Sequence, residues 1–165
     1  NIDILINNAG SISTSLFQMT SVDSTKKIFS INFFSQILFS QYIVKAMIKN
    51  KSGSIIFVSS TSALDGNIGR TSYSTSKSAL NTLAITLSKE LGSKNIRVNV
   101  IAPGLTNTDM MKNNTSEETI EDVVNNCSLN RVAESQEIAN AILFFSCDLS
   151  SYITGQILRV DGGMK

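Results

Sequence analysis

Apolar residues gather in four short runs: DILI at 3–6, SIIFV at 54–58, IRVNVI at 96–101 and QILRV at 156–160. They are rich in β-branched residues and mostly continuous rather than alternating, as in strands covered on both faces. Between the first two runs, residues 24–50 contain neither glycine nor proline and run too long for a strand, which predicts a helix. Tyr73 to Leu91 predicts a second helix, with an apolar row at Leu80, Ala84, Leu87 and Leu91 and with Gly92 at its C-cap. A third helix is expected from Ser135 as N-cap, with Glu137 in its first turn and Ile138, Ala141, Ile142 and Phe145 on its inner face. The resulting alternation of strand and helix predicts an α/β fold of three layers, a parallel sheet between helices joined by right-handed crossovers, in one domain over 1–165. The polar stretch 106–130 is expected to be a long mobile segment.

The predicted helix over 24–50 is apolar nearly all round. Ile28, Ile31, Phe33, Phe34, Ile37, Leu38, Phe39, Ile43, Val44 and Met47 do not fit one stripe, so the helix needs two partners. The sheet is one; a second subunit is the expected other.

Helical spacing places Tyr73 and Lys77 on the row that Leu80, Ala84, Leu87 and Leu91 continue, at the rim of the core. A tyrosine ionises near pH 10, about three units above neutrality, and a nearby positive charge favours its phenolate. Tyr73 as a general acid or base tuned by Lys77 is therefore one reading of the pair; a plain surface i, i+4 pair is the other. The surroundings favour chemistry. Ser60 follows the second strand, NNAG at 7–10 follows the first and APGLTNTDM at 102–110 follows the third. Small, hydrogen-bonding residues thus collect where consecutive parallel strands end, which is where open α/β sheets bind ligands.

Composition narrows the chemistry by exclusion. With 42% hydrophobic and 16% charged residues and a net charge of +1, the chain carries no electrostatic footprint for nucleic acid or an anionic membrane. It has no histidine, which rules out histidine-based metal sites and Ser-His-Asp catalysis, and no metal site is expected. Cys127 and Cys147 stand alone, as reduced cysteines of a cytoplasmic protein would. No signal-peptide pattern opens the sequence, and no apolar run approaches the ~18 residues of a membrane span.

Taken together, IDILINNAG, YSTSKSAL, NIRVNVIAPG and EIANAILFFSCDLSSYITGQILRVDGG resemble the short-chain dehydrogenase/reductase family, especially its 3-oxoacyl-[acyl-carrier-protein] reductase-like branch, over essentially the whole chain. The resemblance implies a Rossmann-like sheet of which this chain supplies strands 4 to 7 of seven. It implies that Ser60 hydrogen-bonds the substrate oxygen and that Tyr73 exchanges a proton with it. Lys77 would hold the nicotinamide ribose and lower the tyrosine pKa, and Asn32 would complete a catalytic tetrad by stabilising a relay water. Asn8, Ala9 and Gly10 would lie along the adenosine side of NADP or NAD; Tyr73 and Lys77 would also touch the cofactor. Pro103, Gly104, Thr106 and Thr108 would cradle the nicotinamide, Thr108 through its hydroxyl, with 106–130 as the substrate lid. The implied substrate is a ketone or secondary alcohol, small or bound to an acyl-carrier protein, and the implied assembly a homodimer or homotetramer with a role in fatty acid biosynthesis.

Two features qualify these expectations. None of the nine glycines falls in a GxGxxG turn, so the pyrophosphate site and the residue that selects NAD or NADP are expected outside these 165 residues, in an enzyme of roughly 240 to 250 residues. By itself the chain is then expected to be inactive, and an oligomerisation partner without catalysis is the alternative. A sugar, steroid or small diketone are the alternative substrates. If the substrate rides on an acidic acyl-carrier protein, Lys51 and Lys94 on connecting turns are candidates to dock it near the cleft; solvated surface lysines are the alternative reading.

Overall fold

The computed structural model describes residues 1–164. Its main sheet contains β1 (Ile4–Asn7), β2 (Gly53–Val58), β3 (Ile96–Pro103) and β6 (Ile157–Val160), all parallel, in the order β1-β2-β3-β6. This is the predicted parallel arrangement, with each strand displaced from its apolar run by two residues or fewer. Side chains on a strand point alternately to opposite faces, which explains why continuous apolar runs serve here. Ile55, Phe57, Val98 and Val100 meet Met47, Leu80, Ala84 and Leu91 on one side. Ile56 and Ile101 meet Ile138 and Phe145 on the other. The helices of these two layers are α2 (Ser35–Asn50) and α4 (Thr71–Leu91) on the first face and α7 (Ser135–Ser146) on the second.

The long apolar segment is helical but not uniformly so. It begins earlier than predicted, as α1 (Val22–Phe29), where the Ser21 side chain accepts the Ser24 N–H as an N-cap. A π-helical turn over Ser30–Phe34 then joins it to α2, with the Ser35 N–H bonding back five residues to the Ser30 carbonyl. Nothing in apolar periodicity marks such a turn. The π turn rotates α2 relative to α1, and the all-round apolar pattern resolves into two faces: Ile28 and Met47 are buried, whereas Phe34, Leu38, Phe39 and Tyr42 are more than half exposed.

One expected helix end is corrected. Glu134, not Ser135, caps α7: its carboxylate accepts from the backbone of Glu137 while the Glu137 carboxylate accepts the Glu134 N–H at 2.8 Å. A two-sided box displaced the single hydroxyl that the sequence pattern offered. Gly92 does sit at the end of α4, but in helical conformation, leading into a short 3-10 turn; the left-handed residue is Asn95, φ 58°. The polar stretch 106–130 is also more regular than expected. It contains β4 (Thr106–Asn107), α5 (Asp109–Asn114) and α6 (Glu117–Asn125), and β4 pairs with β5 (Ala133–Glu134) in a small second sheet. Short helices with hydroxyl caps are hard to see where few residues are apolar; Thr108 and Ser116 cap α5 and α6. A last short helix, α3 (Ser62–Asp65), follows β2.

Two glycines test this packing in opposite directions. Gly92→Ala is expected to raise stability by about 0.4–1 kcal/mol, because the site is helical and open and the unfolded chain loses freedom. Gly104→Ala is expected to lower it by about 1–3 kcal/mol, because the added methyl would lie 2.8 Å from Asp161 Cβ and 2.9 Å from its backbone Cα. Urea unfolding midpoints check both; a Gly104→Ala midpoint at or above wild type contradicts the close approach of the β3 and β6 ends.

Candidate functional site

Parallel strands bring their carboxyl ends to one edge, and three loops meet there. After β1 comes the turn of Asn8, Ala9 and Gly10; after β2 come Ser59 and Ser60; β3 ends in Pro103, and Gly104 follows it. The start of α4 returns to the same edge and presents Tyr73 and, one turn on, Lys77. The structure therefore assembles Asn32, Ser60, Tyr73, Lys77 and Gly10 at one end of the sheet.

Lys77 is 3% exposed, and its ammonium donates to the Val58 carbonyl at 2.7 Å, where β2 ends. Ser59 Oγ holds the Lys77 backbone carbonyl at 3.1 Å. Burial pulls the lysine down to about pKa 8, since the charged form is the one that loses water. Gly10 lies directly against it: a β-carbon there would sit 3.1 Å from Lys77 Nζ and 3.5 Å from Asn32 Oδ1. A residue without a side chain is what allows the turn to close over the ammonium.

Asn32 lies in the π turn and is fully buried. Its amide donates to the Ser11 carbonyl at 2.9 Å and to Ser76 Oγ at 3.0 Å, and accepts the Ser11 N–H at 2.7 Å. Both of its donors are engaged, so toward a relay water the side chain retains only acceptor capacity. Its direct work here is to tie the turn after β1 to α4. π turns concentrate at functional sites, and this one places a polar residue inside an apolar helix.

Tyr73 differs from expectation in its electrostatics. Burial pushes its phenol above the ordinary tyrosine value; a hydrogen bond with Ser60 and the charge of Arg70 pull the other way. Lys77, expected from the sequence to tune this phenol, turns its ammonium onto the Val58 carbonyl. Arg70, three residues before Tyr73, draws the phenol down against its burial. Ser60 Oγ accepts the Ser62 N–H at 3.2 Å, which leaves its own proton free to donate.

Residues around the rim are variously committed. Asn8 and Ala9 are exposed, and Gln36 Nε2 donates to the Ala9 carbonyl at 2.9 Å. Thr106 Oγ1 donates to the Gly104 carbonyl at 3.0 Å. Thr108 Oγ1 accepts the Met111 N–H at 3.2 Å as the cap of α5 and donates to the Thr106 carbonyl at 3.3 Å, so its hydroxyl is occupied in shaping the loop. Lys51 and Lys94 are not near this cleft, contrary to expectation. Both precede strands, β2 and β3, at the opposite edge of the sheet, about 20 Å away along a six-residue strand. Connecting turns alternate between the two edges, and the apolar pattern alone did not say which edge carried these two.

A nicotinamide dinucleotide fits what is present. The ammonium of Lys77 spends one of its donors on Val58, leaving two for the hydroxyls of a ribose, and the turn of Ala9 and Gly10 offers a surface without bulky side chains. Arg70, Gln36 and Ser76 were missed by the sequence reading; the one available signal was the position of Arg70 on the same first turn of α4 as Tyr73. No group of three or more histidine, cysteine, aspartate or glutamate side chains suited to a metal occurs among the described residues, and no helix there is long and apolar enough to cross a membrane.

The fold and this gathering of residues are those of a Rossmann-like oxidoreductase domain. A family model described as enoyl-(acyl-carrier-protein) reductase matches residues 1–165, and the chain belongs to the short-chain dehydrogenase/reductase family. It is 43% identical over 166 residues to the 3-oxoacyl-[acyl-carrier-protein] reductase FabG of Chlamydia trachomatis, covering 99% of this chain and 65% of that protein. It is 39% identical over 162 residues to the 7alpha-hydroxysteroid dehydrogenase of Escherichia coli K12, covering 98% and 63%. A solved 7alpha-hydroxysteroid dehydrogenase in complex with NADH and 7-oxo glycochenodeoxycholic acid superposes with a TM-score of 0.95 at 37% identity, over 99% of this chain and 64% of that one. The chain thus spans about two thirds of the length of the relatives it matches.

Burial of Lys77 has a consequence for stability. Its folded pKa of about 8 lies below the 10.5 of the free side chain, so between these values the unfolded chain binds the extra proton and stability rises with pH. From pH 7.5 to 9.5 the wild-type chain is expected to gain about 1 to 2 kcal/mol relative to Lys77→Met, below the range where tyrosine ionises. Urea unfolding of both at the two pH values measures it; a constant difference means that the ammonium keeps its water.

Proposed function

We infer that this chain carries the catalytic half of an NAD- or NADP-dependent short-chain dehydrogenase/reductase that interconverts a ketone and a secondary alcohol. The observation that carries the reading is the meeting of Ser60, Tyr73 and Lys77 at the carboxyl end of the sheet, with Gly10 and Asn32 packed behind the lysine. When bound, the nicotinamide supplies the hydride. The Ser60 hydroxyl, its acceptor side held by the Ser62 N–H, donates to the substrate oxygen and orients it. Tyr73 gives its phenolic proton to that oxygen in reduction and takes it back in oxidation. Lys77 holds ribose hydroxyls with the donors left over from Val58, assisted by the close approach of Gly10. Asn8 and Ala9 border the adenosine side, and Pro103, Gly104, Thr106 and Thr108 form the wall beside the nicotinamide, with 106–130 above it.

For the substrate, 43% identity to a 3-oxoacyl-[acyl-carrier-protein] reductase favours a 3-oxoacyl chain on an acyl carrier. Similarity to the hydroxysteroid dehydrogenase favours a steroid as the second reading. The exposed row of Phe34 at the end of the π turn and Leu38, Phe39 and Tyr42 on one face of α2 supports a homo-oligomer in which a second copy covers it.

In the protein at its full natural length, Tyr73→Phe is expected to lower turnover at least about a hundredfold with cofactor affinity nearly unchanged, whereas Lys77→Ala weakens both. Steady-state kinetics and cofactor titration read the two effects; wild-type turnover in Tyr73→Phe removes the acid/base assignment. The Lys51→Glu, Lys94→Glu double variant is expected to leave KM unchanged both for an acyl-carrier substrate and for a small ketone, because both lysines lie at the far end of the sheet from the cleft. A KM raised for the acyl-carrier substrate alone contradicts that placement.

A further inference from the structure

The short helix α3 carries the group that orients Ser60, yet little holds it in place. It is a single turn, Ser62–Asp65, too short to be stable through its own hydrogen bonds. Its N-cap Thr61 lends no side-chain bond, and none of its four residues is buried. The Ser62 N–H at its start donates to Ser60 Oγ at 3.2 Å, so a shift of the turn carries the serine hydroxyl with it. At its near end the Thr61 N–H donates to the Pro103 carbonyl at 2.9 Å. Its far end is fixed by one guanidinium. Arg159 Nη1 and Nη2 donate to the two carboxylate oxygens of Asp65 at 2.8 and 2.7 Å, and Nε donates to Asp161 Oδ2 at 2.7 Å. A fork of this kind constrains geometry in a way that a single surface ion pair does not. Just beyond Asp65 the chain turns away at Gly66, φ 74°.

We propose that Arg159 is a positioning residue for the reaction: through Asp65 it holds α3, and with it the Ser60 hydroxyl, at a fixed place relative to the wall of Pro103 and Gly104. This rests on Ser60 orienting the substrate oxygen, as inferred above. Arg159 stands on the side of the molecule that carries that wall. It lies in β6 opposite Ala102 of β3, and the Gly104 N–H donates to the carbonyl of its neighbour Val160 at 3.0 Å. Asp161, the second carboxylate on the guanidinium, packs so closely on Gly104 that a β-carbon there would meet its Cβ at 2.8 Å. Asp161 is itself held in place, because its Oδ1 accepts the Gly163 N–H at 3.1 Å. One side chain therefore joins the loop that bears Ser60 to the loop that borders the nicotinamide. All three guanidinium nitrogens are spent on the two aspartates, so Arg159 acts through them. Its hydrogen bonds hold the Asp65 carboxyl below the ordinary carboxylate value, and the tie is ionised at neutral pH. Reduction needs the substrate oxygen and the hydride-bearing carbon placed at the same moment, the first by Ser60 and the second by the wall. A displacement of about 1 Å between them can cost about a hundredfold in rate.

The test is ketone reduction by the full-length protein, with Arg159→Gln measured in the wild-type and in the Ser60→Ala background. Alone, Arg159→Gln is expected to lower kcat about tenfold while cofactor affinity stays within about twofold. In the Ser60→Ala background the same substitution is expected to lower the remaining turnover by less than about twofold, because the hydroxyl it positions is gone. Asp65→Asn, which breaks the tie from its other end, is expected to repeat both results and guards against an arginine variant that fails to fold. A merely structural arginine would lower turnover by the same factor with and without the Ser60 hydroxyl; that outcome overturns the role of Arg159 and leaves Ser60 as the orienting group. Wild-type kcat in Asp65→Asn likewise overturns the tie. Wild-type turnover in Ser60→Ala overturns the reading of Ser60 itself.

Discussion

One buried ammonium organises this end of the molecule. Lys77 cannot be withdrawn from water without partners, and it finds the first of them in the Val58 carbonyl, at the place where β2 stops. That bond, with the one from Ser59 Oγ to the Lys77 carbonyl, ties the start of α4 to the end of β2. Gly10 leaves room for it, because a β-carbon in the turn after β1 would press on Nζ at 3.1 Å. Asn32 must be polar, because it holds that turn by two bonds to Ser11 and reaches α4 through Ser76. The π turn between α1 and α2 puts an asparagine inward from a helix that otherwise shows apolar residues to the core. Three elements distant in sequence are thus fixed around one charge.

Long periodic features were legible because each rested on many residues. The four strands, the row on α4 and the inner face of α7 rest on repeated apolar spacing, and a single misread residue cannot undo such a pattern. The features that escaped depend on one or two atoms each. The capping box at Glu134 competes with a serine one residue on, and only backbone geometry decides between them. The π turn inserts one extra residue without altering the composition of the segment. Asn99, fully buried, binds the Ile153 carbonyl and the Gln156 N–H and so steers the chain into β6, yet in the sequence it interrupts an apolar strand without explanation.

For the site, the order of motifs located the residues and could not orient them. Tyr73 and Lys77 share a helical row as expected, but sharing a row fixes only where the two side chains start. A lysine has four rotatable bonds, and the nearest unsatisfied carbonyl decides where its ammonium ends. The same limit applies to Lys51 and Lys94: both lie on turns, and only the parallel direction of the strands places them at the far edge.

The electrostatic problem at Tyr73 follows from that orientation. A phenol removed from water resists ionisation, and its near neighbours in the fold are a neutral serine and one arginine. Lys77 meets the opposite problem: burial draws its ammonium down to about pKa 8, and only the Val58 carbonyl among the described groups accepts from it, so its remaining donors are directed at whatever enters the cleft.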